Sequence, residues 1–420
     1  MTADAAPAPA RTADSPESAV RPREFRLLLS AFVVSYAGDW LYKLALPILV
    51  LELTGSAIQT AVVYSLEYVP YLLFAGIGGV ISDRYDRRVL LICSNSAATV
   101  VSGALAGLAW AHVYHLWAIY LCAFLLSSFT PLYQASFLGA VPAVVSPDRL
   151  GQANSRLQAG QGVLDLLGPI AGAAAVAALG VRWALSLDST SFALSALCIA
   201  LIARAAATRP QPPAEGRSVL GDLKDAAAFV RATPALFWGA ALAAGSSFGL
   251  SMIEANMITY LVHVRRDSVG EVGLVFAALG IGSLIGAVVA PAVHRRVPAG
   301  LLIICSVMVG GLGTAALLVL RQLATISAAW VLVGASTAVF VVTYSTLRHQ
   351  IVPAALLGRV IVLTRITAYI SVPVAPLLGG ALLSATHSFW PVVLVSAAAQ
   401  GVVALLALLS PLRTVAGSAQ

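Results

Sequence analysis

The sequence predicts an all-α integral membrane protein with twelve transmembrane helices in two pseudo-symmetric six-helix bundles. Three observations predict it. Fifty-nine per cent of the 420 residues are apolar and only 10% are charged, against about 25% charged in soluble domains, and the mean hydropathy is +0.90. A chain of that composition must use lipid as its solvent, and lipid admits only helices or closed barrels across it. The apolar runs are about 20–25 residues long, the length a helix needs to cross a bilayer, whereas barrel strands would be shorter and would alternate. Finally, one long polar interruption at 205–234 separates two halves that repeat.

Twelve spans follow along the chain: 26–51, 57–81, 89–110, 116–143, 156–178, 182–204, 235–263, 271–293, 299–320, 325–347, 360–384 and 389–411. Residues 1–24 are Ala/Pro-rich with no apolar core before a cleavage site, which predicts a disordered cytoplasmic tail rather than a signal peptide. Residues 25–204 form the first bundle and 235–412 the second; 413–420 form a second cytoplasmic tail. Between the bundles, 205–234 opens on a Pro-rich stretch. It continues with Val219, Leu220, Leu223, Ala227 and Val230 on one helical face and Asp222, Lys224 and Asp225 on the other. That pattern predicts an amphipathic helix lying on the membrane surface.

Charge sets the orientation. Arg182, Arg265, Arg266 and Arg321 fall at or beyond span ends on one side, and most of the other Lys and Arg residues fall on the opposite side. The positive-inside rule then places both termini in the cytoplasm. The net charge of +7 is therefore an orientation signal and implies no nucleic acid. Cys93, Cys122, Cys198 and Cys305 lie within apolar spans without redox or zinc spacing and are expected as small core residues. The six histidines show no metal spacing, so no metal is expected. Nucleotide-binding, Ser/His/Asp, HExxH and paired-carboxylate hydrolase patterns are all lacking, so no enzyme activity is expected.

The stretch GGVISDRYDRR at 78–88 joins two apolar helices. Gly79 would let helices approach closely, Asp83 could face a helix N-terminus, and Arg84, Arg87 and Arg88 would mark the cytoplasmic side. The pattern resembles the G-x-x-x-D-R-x-x-R-R loop between helices 2 and 3 of the major facilitator superfamily. At a constant offset, Gly286–Arg295 echoes Gly79–Arg88, with Ala290 in place of Asp83. FLGAVPAVVSPDRLGQANSR (137–156) is echoed by LRHQIVPAALLGRV (347–360). The resemblance covers about residues 25–412 and implies two parallel six-helix repeats with a substrate site between them near the midplane. It also implies that the 79–88 loop gates the inner side, with Asp83 approaching the inner end of helix 11.

Ionisable groups inside a span are costly and point to function. Asp39 and Lys43 are four residues apart on one face of the first helix. At ~1.5 Å rise per residue they lie roughly 18 and 12 Å deep, and Glu67 on the second helix roughly 15 Å. A carboxylate–ammonium–carboxylate cluster at one level could exchange a proton between the two sides; the same residues could instead form a buried structural ion pair. A carboxylate within about 4 Å of the Lys43 amine is expected in either case. The second half has Ser246 and Leu274 at the positions of Asp39 and Glu67.

On the fifth span Asp165 precedes Gly168, Pro169 and Gly172, which partly match an antiporter motif; simple small-residue packing is the alternative. Glu254 and Asn256 on the seventh span are candidates to face substrate or a cation, or to close an outer gate. Tyr36 and Trp40 join them as cavity candidates. Asp188 is expected to pair near the membrane interface. Arg365 either snorkels towards the inner surface or meets Asp83 or an anionic substrate.

GDWLYKLALPILVLELTGSAIQT (38–60), PDRLGQANSR (147–156) and LGPIAG (167–172) resemble the drug:proton antiporter branch that includes macrolide and enterobactin exporters. The fourth span lacks that class's intramembrane Arg, which shifts weight onto Asp39, Lys43 and Glu67. The resemblance implies a secondary active exporter of a mid-sized amphipathic compound, such as an antibiotic, drug or siderophore. It would act by alternating access as a proton antiporter, without a cofactor, as a monomer in the bacterial cytoplasmic membrane. A lysophospholipid flippase or a facilitated transporter without proton coupling is the alternative; a non-transporting membrane protein is the third.

Overall fold

The computed structural model describes residues 22–203 and 219–415. The N-terminal tail, the Pro-rich stretch and the last five residues lie outside them. The described residues are helical: α1 (Pro22–Thr54), α2 (Ala57–Arg84), α3 (Arg87–Trp110), α4 (Leu116–Val144), α5 (Leu150–Leu179), α6 (Val181–Ala200) and α7 (Val219–Ala232). The second half continues with α8 (Pro234–Thr259), α9 (Val269–His294), α10 (Ala299–Ala316), α11 (Leu323–Ile351), α12 (Ala354–Tyr369), α13 (Val374–Thr386) and α14 (Trp390–Leu408).

Among the described residues eleven segments are long and apolar enough to cross a membrane, and α12 with α13 counts as one of them. The twelfth helix is α2, which carries Glu67 and ends in charge. Aliphatic side chains such as Val100, Leu138, Val288 and Leu312 stand on the outer surface, as a lipid-facing belt requires.

Local chemistry explains the links. Gly55 takes φ +61°, the left-handed position that ends a helix. Ser56 then caps α2, accepting from Gln59 N. A single residue joins α5 to α6, Gly180 at φ +84°. Two residues, Tyr85 and Asp86, join α2 to α3. Asp86 caps α3 by accepting from Arg88 N at 2.8 Å and Val89 N at 3.4 Å. The predicted eleventh span is interrupted: α12 starts at 354, six residues earlier than expected, and the chain leaves the helix at 370–373, a stretch that ends on Pro373 with Pro376 just beyond it. Proline withholds an N–H and favours such a break.

The packing repeats between halves. Helix α2 packs on α4 and α3 on α6; correspondingly α9 packs on α11 and α10 on α14. The bundles meet along two seams, α5 with α9 and α2 with α13, which are related by the same offset. The ends of the helices at the 85–86 turn are called here the motif face, and the opposite ends the far face. At the far face one apolar cluster spans both bundles, from Leu46, Ile48 and Val176 to Ile258, Val272 and Val392. At the motif face the bundles have separate cores, Leu28, Phe137 and Ile199 in the first and Ile303, Phe340 and Leu347 in the second.

Helix α7 has a packing partner in the second bundle. Its apolar residues Ala226 and Val230 pack on Leu236, Val352 and Val360, so it docks on the motif-face end of the second bundle. Cys93 is exposed rather than core, and the other three cysteines are half-buried.

Candidate functional site

Helix α1 brings Tyr36, Asp39, Trp40 and Lys43 to mid-depth. Lys43 does not bond a carboxylate: the ion pairs among the described residues are Arg149–Asp148 and Arg265–Asp267. Its amine instead lies over the rings of Trp40, 5.0 Å from the centroid, and Tyr36, 5.7 Å away. Asp39 and Trp40 are both within about 60° of Lys43 around the helix, so wheel position does not choose between them; the lysine side chain turns onto the rings. Lys43 remains within electrostatic reach of Asp39, Glu67, Asp165 and Glu254. One cation thus sits among four carboxylates, drawn from α1, α2, α5 and α8.

Two of those carboxylates are held by tyrosines. Tyr36 donates to Asp165 Oδ1 at 2.6 Å, linking α1 to α5. Tyr64 donates to Glu254 Oε2 at 2.7 Å, linking α2 of the first bundle to α8 of the second. Hydrogen bonds to an ionised acceptor are about twice as strong as neutral ones.

The helix-5 motif is a packing surface on both sides. On the α1 side a Cβ on Gly168 would come within 2.3 Å of the Trp40 ring, and one on Gly172 within 2.9 Å of the Trp40 carbonyl. Trp40 therefore fills a notch in α5. On the α9 side a Cβ on Gly273 would lie 2.9 Å from the Pro169 carbonyl, and one on Gly280 2.4 Å from that of Asp165. The seam between bundles thus approaches backbone to backbone right at Asp165, and α5 runs unbroken through Pro169.

Three expectations change here. Asn256 is fully buried; its amide donates to Met252 O at 2.9 Å and Pro376 O at 3.2 Å. It ties α8 to the start of α13 and does not line a cavity. Asp188 has no cation partner and no exposure; Ser102 of α3 donates to its Oδ2 at 2.5 Å. Arg365 is exposed, but lies three turns into α12 because that helix starts early. Its guanidinium is stacked over Tyr71 of α2 at 5.2 Å and Tyr369 at 5.7 Å.

Arg365 belongs to an aromatic wall that sequence reading missed. Tyr64, Tyr68 and Tyr71 line one face of α2, with Tyr64 on Tyr68 at 5.6 Å. Tyr369 meets Tyr68 edge-on at 5.9 Å and Tyr71 at 5.6 Å. The spacing of four and three residues was the available signal.

In the 79–88 loop, Gly79 and the Asp83 side chain lie outside the described residues. Gly78 is in close contact, since a Cβ there would sit 3.0 Å from the Pro131 backbone of α4. Arg84 is exposed. Arg87 donates to Gly139 O of α4 at 2.9 Å, and Arg88 to Ala200 O, the last residue of α6, at 2.5 Å. The second bond places a cation at a helix C-terminus, where the dipole favours it.

The model for the Major Facilitator Superfamily matches residues 28–325. The chain is 27% identical over 340 residues to the enterobactin exporter EntS of Citrobacter koseri, covering 80% of this chain and 79% of that one. It is 26% identical over 284 residues to EntS of Salmonella typhi, 67% of each. Among solved structures, a bacterial homologue of the iron transporter ferroportin in an inward-facing state superposes with a TM-score of 0.74 at 17% identity, over 92% of this chain and 98% of that one. The nucleoside transporter NupG gives 0.69 at 15% identity, over 91% and 98%. Helix number, paired repeats and the seams between them agree with these matches: the chain is a multi-pass membrane transporter, not an enzyme, and belongs to the Major Facilitator Superfamily.

Proposed function

We propose that this protein exports a mid-sized amphipathic, siderophore-like compound by alternating access, as a monomeric proton antiporter of a bacterial inner membrane. The observation that carries the reading is the mid-depth cluster in which Lys43 stands within reach of four carboxylates, one of them bridged across the bundles by Tyr64. Buried ionisable groups on both sides of a seam are what coupling an ion to a rearrangement of that seam requires. Asp39, Lys43 and Glu67 remain the favoured coupling residues, with Asp165 held by Tyr36 and Glu254 by Tyr64.

Alternating access is supported by the division of the apolar core. A single cluster closes the far face, and two separate ones leave the motif face free to open. Arg84, Arg149, Arg156, Arg295 and Arg296 lie towards the motif face, which the positive-inside rule assigns to the cytoplasm. The wall of Tyr68, Tyr71 and Tyr369 beside the exposed Arg365 suits a substrate with flat apolar rings and an anionic edge. The similarity to enterobactin exporters points the same way.

The test is transport in proteoliposomes, using purified enterobactin and a macrolide as probes, with and without an imposed pH gradient. Uphill movement of a probe only with the gradient, accompanied by counterflow of protons, supports the proposal. Gradient-independent movement replaces it with facilitated transport. Gradient-independent movement of a fluorescent lysophospholipid, with neither probe carried, replaces it with a flippase.

A further inference from the structure

Lys43 is a half-buried ammonium whose direct contacts are two aromatic faces. Among the described residues it makes neither a hydrogen bond nor an ion pair. Its amine lies 5.0 Å from the centroid of the Trp40 ring and 5.7 Å from that of Tyr36. Both fall inside the roughly 6 Å over which a ring face attracts a cation.

The two rings are held in place by groups other than the lysine. Tyr36 stacks on Phe32, with centroids 5.6 Å apart and planes at 14°, and its hydroxyl donates to Asp165 Oδ1 at 2.6 Å. Trp40 is seated in the α5 notch, where a Cβ on Gly168 would come within 2.3 Å of its ring. Both rings are half-buried, so neither is closed over by the fold. A cage shaped before its ligand arrives binds with less ordering cost. Its walls and supports come from α1 and α5 of one bundle, so it stays whole when the bundles move apart. Arg365 differs, because its two rings, Tyr71 and Tyr369, come from opposite bundles. At the offset that aligns the halves, Tyr36, Trp40 and Lys43 correspond to Ala243, Ser247 and Leu250, which make no cage.

We infer that Tyr36 and Trp40 form an ammonium-binding cage, and that Lys43, as its tethered occupant, is a specificity-determining residue that refuses organic ammonium cargo. Stacked faces with a carboxylate fastened to one of them are what a quaternary or protonated amine binds. With Lys43 in the cage, such a cargo meets an occupied site and a like charge. Specificity is a difference of affinities, and a repulsive group set against the wrong cargo supplies it as well as an attractive one for the right cargo. The inference deepens the exporter reading, and rests on it for the cage facing the transport path.

The test is isothermal titration calorimetry of the purified protein in lipid nanodiscs, with empty nanodiscs as the blank and no pH gradient. The probe is phenyltrimethylammonium, and its neutral isostere tert-butylbenzene reports apolar filling alone. Lys43→Ala should bind phenyltrimethylammonium about tenfold or more tighter than the unmodified protein, as a vacated cage requires, with tert-butylbenzene gaining far less. Lys43→Arg keeps a cation over the rings and should show no gain. Adding Trp40→Leu to Lys43→Ala should cancel the gain, because one wall of the cage is gone.

Equal binding of phenyltrimethylammonium by the Lys43→Ala variant and the unmodified protein overturns the proposal. So does a gain that survives Trp40→Leu, which would be the effect of net charge alone, and so does an equal gain for the neutral isostere, which would be the effect of space alone. A gain in Lys43→Arg matching that in Lys43→Ala overturns the occupant role. Where a variant does not yield monodisperse protein, Lys43→Gln stands in for Lys43→Ala and Tyr36→Leu for Trp40→Leu, with the same outcomes expected. Equilibrium binding needs neither turnover nor a gradient. Failure here therefore leaves the export reading standing, and failure of gradient-driven export in proteoliposomes leaves the cage standing.

Discussion

The two bundles share a topology and differ in what holds their helices together. In the second, α9 and α11 touch through backbone. A Cβ on Gly282 would lie 2.0 Å from Val331 O, one on Gly286 2.2 Å from Ala335 O, and one on Gly334 2.1 Å from Leu279 O. Gly282 and Gly286 are spaced as in the G-x-x-x-G packing motif, and the atoms that face them are backbone. In the first bundle α1 meets α6 across Gly38, and what faces that glycine is polar: Ser191 and Asp188. The comparison separates two jobs. The second bundle brings α9 and α11 into backbone contact at three glycines, and the first carries most of the mid-depth groups able to change charge.

The largest expected effect breaks the backbone-packed side. Gly286→Val should abolish most of the folded protein, because the obstacle is a carbonyl that cannot turn away; overpacking of this kind costs at least about 1–3 kcal/mol. Gly38→Ala should be milder: the Ser191 hydroxyl can rotate away, and the remaining contact with Ser191 Cβ at 2.8 Å needs a smaller shift than a backbone carbonyl at 2.2 Å. Monodisperse yield after detergent extraction checks both. Equal yields would mean that the α9–α11 contact is looser than its geometry.

The next effect breaks the chemical side. Asp39→Asn should remove gradient-driven export of the probe by at least tenfold while leaving downhill exchange within about twofold, a loss of coupling and not of binding. Ser246, at the matching position of the second bundle, should tolerate Ala with uphill transport unchanged. If Ser246→Ala impairs gradient-driven transport as much as Asp39→Asn, the asymmetry between bundles is not functional.

The fold was legible because hydrophobic run length and the internal repeat report directly on it. The Gly79–Arg88 and Gly286–Arg295 copies identified the repeat, and α2/α4 and α9/α11 realise it. The site was legible only in its residue list. Depth counting brought Asp39, Lys43 and Glu67 to one level, yet could not fix side-chain direction, so Lys43 was expected on a carboxylate and lies on Trp40 and Tyr36. Partners from distant helices were out of reach for the same reason. Nothing in the sequence pairs Tyr64 with Glu254 or Ser102 with Asp188, because helix rotation is set by packing. Asn256 misled because a polar residue in an apolar span signals a satisfied backbone contact as readily as a binding group.

A smaller effect sharpens how the bundles communicate. Tyr64→Phe deletes only the hydroxyl that bridges them. A hydrogen bond to a charged group contributes about 1.5–3 kcal/mol, so its loss should shift the balance between conformations by roughly tenfold towards separation at the far face. Spin labels at the exposed positions Val113 and Val319 would report the distance between bundles there. An unchanged distance distribution would make the Tyr64–Glu254 bond a passenger.

The smallest effect concerns the turns at the motif face. Asp86 caps α3 with two backbone N–H bonds. In the second bundle Pro298 precedes α10 and supplies no side-chain cap. The first turn is also tied down by Arg87 on α4 and Arg88 on the end of α6, so several bonds hold the place where the family motif resides. Asp86→Ala removes one of them. It should cost about 1 kcal/mol, the usual value for a lost N-cap, and lower the melting temperature by a few degrees with uphill transport nearly unchanged. Asp86→Asn keeps an accepting oxygen and should recover most of the stability. A fall in transport larger than the fall in folded protein, in Asp86→Ala but not in Asp86→Asn, would show that the rigidity of this turn is part of the transport cycle and not only of the fold.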